Sequence, residues 1–177
     1  MKLFLSGQPQ VGKTTIIERI VEQLEIEVGG FLSWSTPFSE QGISEVYLQN
    51  VSYNLLDRSV ENQIGRRVTG KGIECYPKTF DQAGISILAE AHRKDLLIFD
   101  ELGYMENEAF LFQQRILELL NSPLPVLGVI KPVERCHSDF LMEIRRHPHF
   151  QEIVVTEENR EHVVQDVLDY VQLVIPN

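Results

Sequence analysis

The sequence predicts an α/β fold: a three-layer α/β/α sandwich around a mostly parallel central sheet, with an antiparallel hairpin or edge insertion. Three observations predict it. Apolar runs alternate with segments of helical periodicity, as strands joined by crossover helices do. "LLIF" (Leu96–Phe99) and "VLGVI" (Val126–Ile130) are apolar throughout, the pattern of strands covered on both faces. "ISEVYLQNV" (Ile43–Val51) follows turn residues around Gly42 and suggests a hairpin or an antiparallel edge.

Taken in order, Leu3–Leu5 reads as a short buried strand. Ile16, Ile17, Ile20, Val21 and Leu24 recur at helical spacing and predict an amphipathic first helix over Thr14–Leu24. Gly29–Phe38 is a second strand broken by Pro37, and Ile43–Val51 a third. Asn54–Lys78 is poorly patterned and rich in Gly, Arg and Lys, so irregular surface structure with some strand is expected. A helix follows from Thr79 to His92, then the strand Asp95–Glu101. "ENEAFLFQQRILELLNS" is helical, with Phe110, Ile116, Leu117 and Leu120 as its core face. Pro123 and Pro125 precede the strand Val126–Ile130, and a basic helix-like segment runs on to Arg146. "EIVVT" is the last strand and Glu158–Leu173 the closing helix. No repeat or second domain interrupts this order, so residues 1–177 read as a single domain.

Composition narrows the function. A chain of 177 residues, 43% hydrophobic, suffices for one core. Its formal charge of −10, without a long Lys/Arg run, argues against a nucleic-acid surface. Cys75 and Cys136 match neither a disulfide framework nor a zinc pattern and suit a reducing compartment. His147 and His149 alternate around a proline without a ligand partner, which reads as a surface turn. No run reaches the roughly 18–20 apolar residues of a membrane span, and no signal peptide precedes Gly7. The expectation is a cytoplasmic protein with no membrane partner.

The chemistry is concentrated in Gly7-Gln8-Pro9-Gln10-Val11-Gly12-Lys13-Thr14, which matches G-x-x-x-x-G-K-[ST] and is followed by Thr15. Such a loop curls its backbone N–H groups inward onto phosphate oxygens beside the positive end of a helix. Gly7 and Gly12 leave room for that approach, Lys13 reaches the β- and γ-phosphates, and the Thr14 hydroxyl offers a Mg²⁺ site. Gln10 stands where many such loops carry glycine. In a left-handed conformation it would cost about 1–2 kcal/mol; a loop version that tolerates a side chain is the alternative. Asp100 and Glu101 end the strand "LLIF". Asp100 is the candidate for the magnesium shell, and Glu101 for orienting a water at the γ-phosphorus.

Beyond the loop, the chain resembles the THEP1-type P-loop NTPases over almost its full length. "GQPQVGKTT" parallels the phosphate loop and "GGFLSW" the strand after the first helix. "DELGYME" (Asp100–Glu106) is close to D-E-I-G-x-M-E, "SPLPVLGVI" resembles the next strand, and "VTEENRE" (Val155–Glu161) resembles V-T-x-x-N-R. The resemblance implies magnesium-dependent hydrolysis of ATP, GTP and other nucleoside triphosphates to diphosphate and phosphate, with broad base preference. It places Asn159 and Arg160 near the base; helix capping and a surface ion pair explain them equally. Tyr104 stands at a position often occupied by Lys. The family's Arg-Val-Gly segment is loosely echoed by Arg67-Val68-Thr69-Gly70. Arg67 is thus the candidate for neutralising charge in the transition state, with Arg66 and Lys71 behind it, against the reading of a solvated basic loop. Lys131, in "IKPVERC", is a provisional member of the site. Turnover is expected to be slow, since no arginine is firmly placed.

Two alternatives stand beside hydrolysis. A nucleotide or small-molecule kinase would use Arg135, Arg145 and Arg146 as a mobile lid, although the exposed face of one helix is the favoured account of them. A nucleotide-dependent switch or assembly factor would present a partner face, for which Phe31, Trp34 and Phe38 are candidates beside ordinary core packing.

Overall fold

The computed structural model describes residues 1–52, 56–136 and 138–175. One eight-stranded sheet runs through the molecule in the order β5-β4-β3-β2-β6-β7-β1-β8. Its parallel part joins β1 (Lys2–Gly7), β2 (Val28–Ser35), β6 (Leu96–Leu102), β7 (Val126–Ile130) and β8 (Phe150–Val155). Beyond β2 the sheet continues antiparallel through β3 (Ile43–Asn50), β4 (Gln63–Val68) and β5 (Gly72–Cys75). The expected architecture, a mostly parallel sheet with an antiparallel extension, is the one observed.

Alternation along the strands divides the core in two. Leu96 and Ile98 of β6, with Leu127 and Val129 of β7, pack under α1 (Lys13–Gln23) and α5 (Arg160–Val174). Leu97, Phe99, Val126 and Ile130 face the opposite way, toward α2 (Pro77–Ile87), α3 (Phe110–Leu120) and α4 (Asp139–Arg145). Leu96–Phe99 and Val126–Ile130 are apolar throughout because each position is buried on one side or the other. Phe31 stacks on Phe99 at 5.4 Å and meets Phe112 edge-on at 5.2 Å. Gly84 makes this possible: a Cβ there would lie 2.1 Å from the Phe112 ring.

Several expectations need correction. Phe110 is 69% exposed, and Phe112 fills the core in its place. The helix begins at Phe110, and at about 100° per residue Phe110 sits roughly 200° round from Phe112. The helix expected over Thr79–His92 instead runs Pro77–Ile87, starting on a proline in its first turn, with a short 3₁₀ turn at Ala91–Arg93. The poorly patterned stretch from Asn54 does hold the strand expected of it, as β4 and β5; its first residues, 54 and 55, lie outside the described residues. Phe31, Trp34 and Phe38 do not form one face. Phe31 is in the core, Trp34 points to the other side of β2 and stacks on Tyr47 at 4.9 Å, and Phe38 is exposed beyond the strand. His147 and His149 occupy a surface turn, as expected.

Lys2 ties the two ends of the core together. It is buried, and its Nζ donates to the carbonyls of Leu119 (3.2 Å), Ser122 (3.0 Å) and Leu124 (2.6 Å) where α3 turns into β7. Burial lowers its pKa to about 8. Lys2→Met keeps the apolar stem but strands the Ser122 and Leu124 carbonyls, while Leu119 keeps the Ser122 N–H and hydroxyl, and is expected to cost about 1–3 kcal/mol in urea denaturation. An unchanged midpoint would show the carbonyls to be satisfied without the ammonium.

Candidate active site

The phosphate-loop candidate lies where β1 hands over to α1. Gly7 has φ 135°, and a Cβ there would lie 2.4 Å from the Val155 carbonyl oxygen on β8. Gly12 caps α1 at φ 104°. Gln10 adopts the left-handed conformation, φ 63°, so the costlier of the two readings of that position is the one observed. No acidic residue lies in the first turn of α1, which leaves the positive end of the helix uncompensated. Lys13 is folded back across the loop, its Nζ donating to the Gly7 (3.1 Å) and Gln8 (2.8 Å) carbonyls. Burial pulls its ammonium below the ordinary value, while the Glu101 charge opposes this.

Sheet order brings the carboxylates to this loop. β7 lies between β1 and β6, so the residues ending these three strands emerge side by side. Asp100 is 4% exposed, and burial pushes its carboxyl up to about 7 despite a hydrogen bond from Thr14. Glu101 is part-exposed and pairs with Lys131, Nζ to Oε2 2.7 Å. Lys131, the residue after β7, also lies over the Tyr104 ring at 5.4 Å. Glu106 is 1% exposed; its carboxylate accepts from the Gly103 backbone N–H and so closes the turn after β6.

These groups border a cleft of about 590 Å³, within the range of small-molecule sites. Gly7, Pro9, Gln10, Gly12, Lys13, Thr14 and Thr15 line it, as do Asp100, Glu101, Lys131, Arg135 and Arg67. Gln8 and Val11 do not. Gln8 uses its side-chain oxygen to accept from Arg135 (2.9 Å), and Val11 packs beneath the loop. Asn159 and Arg160 also stand outside the cleft. The Asn159 side chain accepts from the Thr156 N–H and donates to the Val154 carbonyl, staples of the turn before α5. Arg160 reaches toward Gly12, with its Cδ 3.9 Å from where a Cβ on that glycine would sit.

Three of the candidate cations, Arg67, Lys131 and Arg135, border the cleft. Arg67 lines the far end of the cleft, hydrogen-bonded to the Ser35 hydroxyl at 3.2 Å. β2, which carries Ser35, is three strand spacings of roughly 4.8 Å from β1. Arg66 is paired with Glu74 and Lys71 sits in an exposed turn, neither on the cleft. Arg135, Arg145 and Arg146 are not one helix face: Arg135 precedes α4, Arg145 is pinned between Glu152 and the Lys131 carbonyl, and Arg146 follows the helix. Arg135 and Lys131 therefore adjoin the phosphate-loop half, a placement set by strand order, with Lys131 the provisional member expected there.

Fold and loop together define a phosphate-loop α/β protein. A protein-family model described as NTPase matches residues 2–168. Nucleoside-triphosphatase THEP1 of Aquifex aeolicus is 25% identical over 186 residues, covering 97% of this chain and 99% of that protein. The human cancer-related nucleoside-triphosphatase is 29% identical over 182 residues, covering 96% of each. The crystal structure of THEP1 from Aquifex aeolicus shares the fold, with a TM-score of 0.71 at 24% identity over 97% of this chain and 99% of that one. The chain belongs to the NTPase family.

Glu106 supplies a pH signature that is independent of any ligand. Burial raises its carboxyl from 4.5 to about 7, so the folded protein retains a proton that the unfolded chain releases. Its contribution to stability is therefore present below pH 4.5 and is lost as pH rises to about 7. Denaturation midpoints across this window are expected to fall with pH, and Glu106→Gln is expected to flatten the slope by about 1–3 kcal/mol in total. An identical slope in the Gln variant would assign the effect elsewhere.

Proposed function

We propose that the chain, acting as one domain, hydrolyses nucleoside triphosphates to diphosphate and phosphate with Mg²⁺, slowly and with broad base preference. The observation that carries this is the meeting of Lys13 and Thr14 with Asp100 and the Glu101–Lys131 pair around one cleft.

The residues fit a magnesium ion. Thr14 and Asp100 are hard oxygen donors already hydrogen-bonded to each other. Among the described residues no group of three or more His, Cys, Asp or Glu is arranged to hold a metal. That suits a cation sharing its shell with phosphate oxygens and water. When bound, the cation neutralises charge on the β- and γ-phosphate oxygens.

The protein groups do the rest. The loop amides from Gly7 to Thr15 receive the phosphates, and Lys13 exchanges the Gly7 and Gln8 carbonyls for phosphate oxygens. Glu101, once Lys131 turns from it to the phosphate, orients a water for in-line attack. Lys131 and Arg135, freed from Glu101 and Gln8, face the charge that develops on the phosphoryl group. Their release at each turnover favours a slow rate. Asn159 and Arg160 flank the loop on the side where the nucleoside leaves it. A grip made on phosphate rather than base accounts for broad preference. Two free cysteines suit a cytoplasmic setting.

The test is phosphate release from several nucleoside triphosphates, with and without Mg²⁺, alongside nucleotide binding. Lys13→Ala is expected to weaken binding severalfold or more. Glu101→Gln is expected to retain binding and lose about 10²–10⁴ in turnover. Parental turnover in the Gln variant would remove Glu101 from the mechanism. Lys131→Met is expected to lower kcat with little change in KM; a defect confined to KM would make Lys131 a phosphate holder only.

A further inference from the structure

The cleft extends well past the groups that hydrolysis requires. The phosphate loop, the carboxylates and Lys131 all come from the ends of β1, β6 and β7. The remaining half is built by β2, β3, β4 and α2, on the antiparallel side of the sheet. Beneath it lie Val46, Ile64 and Phe80, main-core side chains each no more than 3% exposed, with part-exposed Met105 above them beside β4. Strand pairing sets Ser35 opposite Val46 and Arg67 opposite Ser44, which places Ser35, Val46 and Arg67 on one face.

Arg67 gives this half its charge. Its guanidinium bonds to the Ser35 hydroxyl, and among the described residues no carboxylate pairs with it. Neighbouring Arg66, by contrast, is matched to Glu74 at 2.7 Å. In a chain of net charge −10, a guanidinium bonded to a neutral hydroxyl beside an apolar floor is a receptor for an anion with an apolar body. Arg67 stands away from the loop itself: its Ser35 partner is on β2, three strand spacings of roughly 4.8 Å from β1.

We propose that this half of the cleft is a second ligand compartment. It takes a small ring-bearing organic anion, with the ring against Met105 above Val46, Ile64 and Phe80 and the anionic group on Arg67. Its occupant displaces water from the approach to Glu101 and so slows hydrolysis without displacing the nucleotide. The binding claim stands apart from the proposed function; only the effect on turnover rests on it.

The probes are adenosine 5′-monophosphate, followed by calorimetry, and 1-anilinonaphthalene-8-sulfonate, followed by its own emission. Both are added to protein saturated with Mg²⁺ and a non-hydrolysable ATP analogue. At least one is expected to bind at a single site without releasing the analogue. Arg67→Ala and Arg67→Glu are each expected to weaken that binding about tenfold or more, the loss of one charge-assisted pair, while analogue binding is retained. In phosphate-release assays the bound probe is expected to lower kcat severalfold at unchanged KM for ATP. The compartment is overturned if neither probe binds at millimolar concentration, if binding is competitive with the analogue, or if both Arg67 variants bind as tightly as the parent. Undiminished kcat at saturating probe would overturn its control of turnover. Absence of hydrolysis altogether would count against the proposed function and leave the binding result standing.

Discussion

The placement of β7 between β1 and β6 is the constraint on which the site depends. Leu127 of β7 is in register with Leu3 on one side and Ile98 on the other. Parallel pairing brings the ends of these three strands to one edge, so the loop after Gly7, the Asp100–Glu101 pair, where β6 slips register against β7, and Lys131 emerge together. Parallel pairing permits this because every strand points the same way and every crossover helix returns the chain to the opposite edge. Thr14 then meets Asp100, and Lys131 meets Glu101, across elements far apart in the chain.

That edge concentrates groups held away from their ordinary ionisation. Burial raises Asp100 and Glu106 and lowers Lys13. The loop adds backbone strain, with Gln10 left-handed. Such features are costly in an isolated domain and gather where a ligand's charge can offset them. The net charge of −10 says nothing against anion binding here. Oriented amides, a helix end and two or three cations act over a few ångströms, whereas the acidic surface is screened beyond about one Debye length of roughly 10 Å. The sheet's antiparallel extension gives the cleft a second character, apolar below and cationic at Arg67, without disturbing the first.

Much of this was legible in the chain. Buried strands showed as continuous apolar runs, and the phosphate loop as a fixed spacing of Gly, Lys and Thr. What misled was local. Phe110 is apolar and lies in a helical segment, but helical phase puts it in solvent and Phe112 in the core. The stretch before Lys78 looked irregular because β4 is short and bulged and carries two arginines, and β5 is a four-residue edge strand. Arg67 was singled out by its segment's echo of a family pattern and Lys131 provisionally by its own, whereas Arg135 was marked only as one arginine of a kinase lid.

The sequence by itself determined what depends on neighbours along the chain: the curl of the loop at Gly7–Gly12, the start of α1, and the two carboxylates at the end of β6. Backbone conformation and strand termination are set by residues within a few positions of each other, so spacing alone reveals them. Only the tertiary structure decided which cations stand beside the loop and which half of the cleft Arg67 serves. Those are matters of strand order and register, and hydrogen bonds between strands join residues whose separation in sequence carries no trace of the pairing.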